Sequence, residues 1–530
     1  MQRKFNDTGL CVSHRHYMVD TSAKIAQIIA LVEDGAYFTI NRPRQYGKTT
    51  TLHLLSQELN QRAEYLALNI SFEGIGTFTH QDQARFIYAF LDMLMLEFEA
   101  LDAPDKVIFI RQKTDQITDM VSLSRFITTL IHSLTRYKAV VLLIDEVDKS
   151  SNNQLFLDFL GMLRQKYLRR DAGKDSTFHS VILAGVHDIK TLKARIRPDA
   201  GSGGGYNSPW NIAADFTVDM SFAPHEIATM LQDYSQERHI QPDIPAIAAR
   251  LHYYTAGYPY LVSKLCKFID EDIVSARDAK TWTVADVETA FQMIVNEAYT
   301  TTLFDSLAKN LENNPELYEL IFQIVINGQR IPFAIANPTV NLGHLYGILV
   351  PSTQGQCQIH NRIFEQRIYG YMMSKTLQQQ FHDVPSVSGP EFYTATGLNI
   401  PVILQRFQTF MQEHYSHRDA KFLEREGRLL FLAYLRPILN GKGFEFKEPS
   451  VSDERRMDLV ITYQQQRYVI ELKRWYGPKA HQHGLQQLSE YLDSYALHTG
   501  YLLIYDFRKG KVPHEEHLTF QDKQIFAVWI

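Results

Sequence analysis

The sequence predicts a multidomain α/β protein, and three stretches carry that prediction. "AYFTINRPRQYGKTTTLHLLSQEL" begins with an apolar, β-rich run (Tyr37 to Ile40), crosses a turn and enters a helical pattern from Lys48. "KAVVLLIDEVDKS" holds an unbroken apolar run, Val140 to Ile144, that ends in two acids, the pattern of a strand buried on both faces of a parallel sheet. Far downstream, "MDLVITY" and "RYVIELK" read as paired strands, followed by a helix and an apolar strand in "HGLQQLSEYLDSYALHTGYLLIYDF". With 530 residues the chain exceeds one core on the scale of about 100 to 200 residues per domain, so three or four packed units are expected.

Composition excludes several classes. Hydrophobic residues at 45% and charged residues at 21% are ordinary globular values, which removes disordered and fibrous architectures. The formal charge of -5 gives no global basic field, so any nucleic-acid contact must come from a local surface; Lys and Arg slightly outnumber Asp and Glu from Lys421 onward. Cys11, Cys266 and Cys357 are odd in number, far apart and without CxxC spacing, so neither a disulfide framework nor a zinc site is expected, and a reducing cytoplasm fits. The opening "MQRKFNDTGLCVSHRHYMVD" lacks an apolar signal core, and no stretch approaches the roughly 18 uninterrupted apolar residues of a membrane span. A soluble protein with no membrane partner is expected.

The first stretch has the parts of a phosphate loop. Such a loop needs backbone N–H groups turned toward an anion, a Gly where the chain passes closest, a Lys reaching the outer phosphates and a hydroxyl for magnesium. Gly47, Lys48 and Thr49 supply these, with Gln45, Tyr46 and Thr50 flanking them as further nucleotide contacts. The usual pattern has another Gly five residues before Gly47, where Arg42 stands. Taken alone, Gly-Lys-Thr also opens ordinary helices. The Val140–Ile144 strand changes that, since a central parallel strand presents its carboxyl end to a ligand. There Asp145 would hold Mg2+ through water and Glu146 would polarise the attacking water of ATP hydrolysis; the alternative is two carboxylates capping the next helix. A third strand, "HSVILAGVHDIK", ends in His187 and Asp188, either of which could sense a γ-phosphate, although His187 also reads as an ordinary loop histidine. The Gly201, Gly203, Gly204 and Gly205 cluster that follows marks a loop with Arg195 and Arg197 at its edge.

These residues carry a resemblance. "RPRQYGKTT", the "LLIDEVD" strand and "YYTAGYPYLVSKLC" with its Gly257-Tyr258-Pro259 resemble the STAND and archaeal-type ATPases of the AAA-like branch, over about residues 10 to 370. The resemblance implies a P-loop parallel-sheet ATPase domain, a helical lid carrying Gly-x-Pro beneath the nucleotide, and a winged helix. A helix near "ELYELIFQIVI", then "LGHLYGILVPSTQGQCQIHNRIFEQRIYGYM", supplies the winged-helix candidate, with a wing turning at Gln354-Gly355. Such ATPases act as conformational switches and often assemble, so a homo-oligomer is implied. The missing first Gly and the lack of a clear arginine finger imply slow turnover.

Between Ser374 and Pro401 the periodicity breaks, with Pro385, Pro390 and Pro401 marking a linker, and from Val402 a compact α/β unit begins. "MDLVITY" and "RYVIELK" are close enough for an antiparallel hairpin. With the turn near Gln465, Asp458 falls opposite the Glu471–Lys473 stretch, and Glu471 and Lys473 share a face because strand side chains alternate. Phosphodiester hydrolysis needs a hard divalent ion held by carboxylate oxygens. Asp458 and Glu471 would be Mg2+ ligands, the Leu472 carbonyl could add another, and Lys473 would orient or deprotonate the water. The alternative is a solvent-facing acid and a salt-bridged strand end. Gln487 and Tyr491 lie four apart on one helical face, and the upstream "FLEREGRLLFLAYLRPIL" helix carries Glu424 and Glu426, one of which could add a carboxylate.

This helix, hairpin, helix, strand order with Asp458, Glu471, Lys473, Gln487, Tyr491 and Glu426 resembles the RecB-like members of the PD-(D/E)XK nuclease superfamily, over about residues 415 to 510; Met457 stands where many members have Pro. The expected domains are an ATPase domain at 1–222, a lid at 223–300, a winged helix at 301–373, a linker at 374–401 and a nuclease-like, restriction-endonuclease-like α/β domain at 402–530. The two resemblances together imply a cytoplasmic, bacterial, ATP-dependent switch controlling a Mg2+-dependent nuclease that acts on DNA, in genome defence or mobile-element biology. The alternative is an ATP-dependent signalling or DNA-binding switch whose nuclease-like domain is catalytically silent.

Overall fold

The computed structural model describes residues 2–73, 82–134, 138–149, 154–186, 210–296, 299–326, 329–380, 389–414, 424–439, 443–447, 459–463, 466–494, 496–506, 508 and 512–530. The chain divides into two compact units, one formed by residues 1–295, 299–317 and 332–364, the other by 296–298, 318–331 and 365–530.

In the first unit the elements run α1 (Ser22–Glu33), β1 (Tyr37–Asn41), α2 (Lys48–Gln61), β2 (Tyr65–Ser71), α3 (Gln83–Ala100), α4 (Pro104–Thr114), α5 (Met120–Leu134), β3 (Ala139–Asp145), α6 (Gln154–Asp171) and β4 (Ser180–Gly185). The apolar runs become strands whose residues are nearly all buried, as strands covered by helices on both faces require. All pairings are parallel, in the order β1-β4-β3-β2, with Asn41 level with Gly185 and Ser71 level with Asp145. Parallel pairing sends every strand's carboxyl end to one edge, so the loop after Asn41, the acids at Asp145–Glu146 and the turn after Gly185 meet there. The helices bury stripes at helical spacing, Leu52, Leu55 and Leu59 on α2 and Leu123, Phe126, Ile127, Leu130 and Ile131 on α5.

Helices follow: α7 (Pro224–Arg238), α8 (Ile244–Thr255), α9 (Pro259–Phe268), α10 (Val284–Val295), α11 (Thr302–Glu312), α12 (Pro315–Val325) and α13 (Pro338–Leu345). An antiparallel hairpin of β5 (Leu349–Pro351) and β6 (Cys357–Ile359) turns through Gly355 at φ 72°, and α14 (Arg362–Gln380) closes the series. The N-terminal segment is strapped to α7 and α9. Phe5 and Tyr17 each pack 5.2 Å from the Tyr234 ring, and Asp7 pairs with Lys264 at 2.6 Å and Lys267 at 2.8 Å.

The second unit contains α15 (Ile400–His414), α16 (Glu424–Leu439), β7 (Gly443–Lys447), β8 (Leu459–Tyr463), β9 (Gln466–Arg474), α17 (Pro478–Ser494), β10 (Thr499–Tyr505), β11 (Glu515–Phe520) and β12 (Lys523–Trp529). Its sheet order is β11-β12-β10-β9-β8-β7. β7, β8 and β9 pair antiparallel, with Leu459 opposite Ile470 and Tyr463 opposite Gln466, whereas β9–β10 and β10–β12 are parallel. The expected hairpin is present; β7 and the β11–β12 pair extend the sheet beyond what the sequence pattern had defined. One face is covered by α17, whose Leu485, Leu488, Tyr491 and Leu492 pack with Val460, Val469, Leu502 and Ile504. Residues of α15 and α16 supply aromatic contacts, Phe407 lying 4.8 Å from Phe431 and 5.2 Å from Tyr434.

Among the described residues, no helix is long and apolar enough to cross a membrane.

Gly257, at φ 71°, makes the tightest approach to backbone of the described glycines: a Cβ there would lie 2.2 Å from Phe222 O, whose residue also donates its N–H to Gly257 O at 2.8 Å. Gly173 has a similar φ of 68° with open space around it. Gly257→Ala should therefore cost well over the roughly 1–2 kcal/mol of left-handed strain alone, and Gly173→Ala about that much or less. Denaturant unfolding of the two variants checks the difference; equal losses would count against the packing account.

Candidate functional site

The loop between β1 and α2 is held in the conformation that binds anions. Gln45 (φ 57°) and Gly47 (φ 80°) are left-handed, which turns successive N–H groups toward a common point at the start of α2. Lys48 is buried, and its Nζ donates back to the loop carbonyls of Arg42 at 3.0 Å and Pro43 at 2.9 Å. Burial lowers the Lys48 pKa, against the opposing pull of Asp148, Glu146 and Asp145 at the end of β3. Thr49 Oγ1 donates to Asp145 Oδ2 at 2.6 Å, and the Glu146 N–H holds Asp145 Oδ1 at 2.8 Å. A hydroxyl and a locked carboxylate side by side are the donor pair that suits a hard cation beside phosphates. Glu146 itself sits at φ 55°, a strained backbone position for a non-glycine residue.

Arg42 explains how the loop tolerates the loss of the customary glycine. Its backbone is not left-handed, its N–H donates to Gly185 O at 3.1 Å, and its side chain leaves the loop to reach Val218 O at 2.7 Å and cover the Phe216 ring at 5.2 Å. Asp148 was not singled out by sequence reasoning, although it lies three residues beyond Asp145 in "IDEVD". Its carboxylate accepts from Val186 N–H, tying the end of β3 to the end of β4. Gly185 permits this approach, since a Cβ there would meet Val147 Cγ2 at 2.8 Å and Asp148 Oδ1 at 3.0 Å.

Distant segments of the same unit grip the outer side of the loop. The Tyr46 ring stands edge-on to Tyr258 at 4.7 Å and its hydroxyl meets His360 Nε2 at 3.2 Å. Tyr258 donates its hydroxyl to Arg44 O, Gln45 Nε2 donates to Thr302 Oγ1 at 3.0 Å, and a Cβ on Gly347 would lie 2.4 Å from Pro43 Cγ. Burial lowers the His360 pKa to about 4 and raises the Tyr46 pKa to about 12, so the pair is neutral at pH 7. The Cys11 N–H donates to Thr50 Oγ1 at 3.2 Å, fixing the N-terminal segment to α2. A cavity of about 110 Å³, lined by Arg44, Asp148, Val186, Tyr258, Ser306 and Asn310 among others, adjoins the loop. His187, Asp188, Arg195, Arg197 and the glycine cluster lie outside the described residues.

A second constellation lies in the other unit, where β9 meets α17. Glu471 and Lys473 share a face, as strand alternation predicted, and lie 2.5 Å apart, with the Glu471 side chain 1% exposed and that of Lys473 25% exposed. Lys473 Nζ also donates to Gln487 Oε1 at 2.9 Å, and Gly484 lies against its methylenes, a Cβ there reaching Lys473 Cε at 3.5 Å. Tyr491, one turn beyond Gln487, enters the apolar cluster beneath. Leu472 is buried opposite Leu503 of β10. Asp458 and the side chain of Glu426 lie outside the described residues, and among the described residues no group of three His, Cys, Asp or Glu is placed to hold a metal.

The deciding comparison covers the first of these sites: residues 10–366 match the model of the AAA-like domain family. The chain belongs to that family. Among solved structures, the AAA-like chain is similar to a Walker-type ATPase of Pyrococcus abyssi, with 12% identity over 69% of this chain and 99% of that one and a TM-score of 0.48. It is also similar to the RuvB Holliday junction branch migration motor of Thermotoga maritima (13% identity, 69% and 96% covered, TM-score 0.31) and to the ORC2 protein of Aeropyrum pernix in its ADP form (11% identity, 69% and 97% covered, TM-score 0.35). No curated protein matches the chain.

The AAA-like protein is thus a P-loop ATPase in its N-terminal part, and the structure brings Lys48, Thr49 and Asp145 together at one edge of its sheet. The Lys48 ammonium donates to the carbonyl dipoles of Arg42 and Pro43, and phosphate oxygens would bind it more strongly than these. Lys48→Ala should weaken ATP binding at least about tenfold, the scale of one charge-assisted contact. The check is thermal: ATP with Mg2+ should raise the Tm of the native chain and leave that of the variant nearly unmoved.

Proposed function

We propose that the AAA-like ATPase module is a nucleotide-dependent switch controlling a Mg2+-dependent DNA nuclease in the second unit. The observation that carries this reading is the Glu471–Lys473–Gln487 constellation, a buried carboxylate and a half-buried amine on one strand face, with the amine steadied by a helix amide. Its setting supports it: α16, the β8–β9 hairpin, α17 and β10 follow one another in the helix, hairpin, helix, strand order named from sequence, with β7 added before the hairpin.

In this reading Asp458, adjacent in sequence to the first residue of β8, supplies the second carboxylate, and the Leu472 carbonyl and Glu426 are further candidates for the same centre. Such a donor set would suit magnesium, since carboxylate oxygens are its preferred ligands. When bound, the ion would supply charge neutralisation and acidify a water. Glu471 would anchor it, Lys473 would orient the water and stabilise charge developing on the phosphate, and Gln487 would aim the lysine. Tyr491 positions the helix that bears Gln487. At the first site Thr49 and Asp145 would hold the magnesium of ATP, Gln45, Tyr46, Gly47, Lys48 and Thr50 would cradle its phosphates, and Glu146 would polarise the water.

The switch would work through the contacts on the phosphate loop. Tyr46–His360, Gln45–Thr302 and Pro43–Gly347 join the loop to residues within 301–373, which we read as the winged helix, so a nucleotide that reshapes the loop would shift that segment. The domain boundaries at 222, 300, 373 and 401, a cytoplasmic bacterial setting in defence or mobile-element biology, and self-assembly belong to the same proposal.

Incubating the full chain with linear, circular and single-stranded DNA, and with RNA, with and without Mg2+ and ATP, tests this directly. Cleavage should require Mg2+ and cease on chelation, and Lys473→Ala or Asp458→Ala should reduce it by at least about a hundredfold, the upper range of one lost acid–base or electrostatic role. Lys48→Ala should change the rate if the units are coupled. A rate indifferent to Lys473 and Asp458 would rule out this centre; one indifferent to Lys48 while ATP binding is lost would rule out the switch.

A further inference from the structure

The chain just past Lys473 carries two adjacent aromatics that the fold treats in opposite ways. Trp475 is fixed: its N–H donates to Tyr505 O at 2.9 Å, its ring packs against the α17 core and lies 5.5 Å from His481, and Arg508 covers it at 5.0 Å. Tyr476 is 68% exposed, with the Arg474 guanidinium 5.4 Å from its ring centre. An exposed tyrosine of this size has no packing role, while the anchoring of Trp475 holds its backbone still. Gly477 follows at φ 112°, a conformation that suits glycine alone and turns the chain sharply into α17 at Pro478.

The chain leading into α17 is basic in sequence, with Glu471 paired to Lys473 and Asp506 paired to Arg508 beside it. From Leu472 to Ser489 the sequence contains Lys473, Arg474 and Lys479 and no acid. Lys479 is exposed in the first turn of α17, where the helix dipole adds to its charge. At about 3.3 Å per residue, Tyr476 lies within about 10 Å of Lys473 along the chain. A rigid, exposed ring with an arginine across one side, in an acid-free basic stretch, is the combination that holds unpaired bases: the ring stacks a base and the cations meet phosphates on either side.

We propose that Tyr476, with Arg474 and Lys479, is a stacking platform for an unpaired base of DNA next to the Lys473 centre, so that this protein engages single-stranded or frayed DNA in preference to closed duplex. The inference rests on the nuclease reading for its placement, but binding can be measured without cleavage. In duplex DNA each base face is already stacked, so the ring gains nothing; an unpaired base is free to cover it.

The test is fluorescence anisotropy of the full chain with a labelled mixed-sequence single-stranded oligonucleotide and with its blunt duplex, in chelator so that nothing is cut, alongside cleavage rates in Mg2+. Tyr476→Ala should weaken single-strand binding about tenfold, the scale of one base–aromatic stack, and change duplex binding much less. Tyr476→Phe should restore it, which a lost hydroxyl contact would not allow. If the native chain cleaves DNA yet Tyr476→Ala binds single strands as tightly as before, the platform is overturned and the nuclease reading stands. If nothing is cleaved under any condition but the Ala variant loses single-strand binding and the Phe variant keeps it, the platform stands and the nuclease reading falls. Equal losses on single strand and duplex would overturn the preference for unpaired bases.

Discussion

Parallel strand pairing joined by helical crossovers is the constraint on which both units rest. In the first unit it brings Asn41, Asp145 and Gly185 to one edge, so a loop, two acids and a backbone turn from remote parts of the sequence face a common space. In the second, the parallel β9–β10 pair obliges the intervening chain to cross as α17, and that crossing lays Gln487 over Lys473. Neither constellation would survive if these strands ran antiparallel, because a tight turn would replace the helix that supplies half of each site.

Both sites also concentrate charge where burial penalises it. Lys48 is enclosed among loop carbonyls with three carboxylates nearby, and Glu471 is almost fully enclosed beside Lys473. A buried ion pair adds little net stability, and removing one partner typically costs about 3–5 kcal/mol because the other is stranded. Such arrangements are therefore poor explanations of folding, and in the proposed function these groups would instead serve a phosphate or a cation. Tyr258, Thr302, Gly347 and His360, all far along the chain, contact the loop through Tyr46, Gln45 and Pro43.

What could be read from sequence was local. The strand–loop–helix at β1–α2, the apolar β3 ending in Asp145, the β8–β9 hairpin and the shared face of Glu471 and Lys473 all follow from periodicity and short spacing, and the structure has them. Gln487 was placed on the relevant helix by its four-residue spacing to Tyr491, though the two then diverge, one to the lysine and one to the core. What could not be read was long-range: the Tyr46–His360 contact spans 314 residues, the Arg42 side chain finds Val218, and Asp148 acts on β4, none of which leaves a periodic trace. The β11–β12 pair was missed because its outer strand is largely exposed and polar, without the apolar run that marks the others. Asp458 and the Glu426 side chain remain expectations of sequence.

In the proposed function the carboxylate beside Lys473 belongs to a cation-binding centre rather than to a structural ion pair. Titration of Mn2+ into the nucleotide-free chain, followed by electron paramagnetic resonance, measures this most directly. A cation-binding centre there gives a bound-metal signal that survives Thr49→Ala, which alters only the first site, and disappears in Glu471→Gln and Asp458→Asn. A signal unchanged by the loss of either carboxylate, in variants that keep the native circular dichroism, would contradict it.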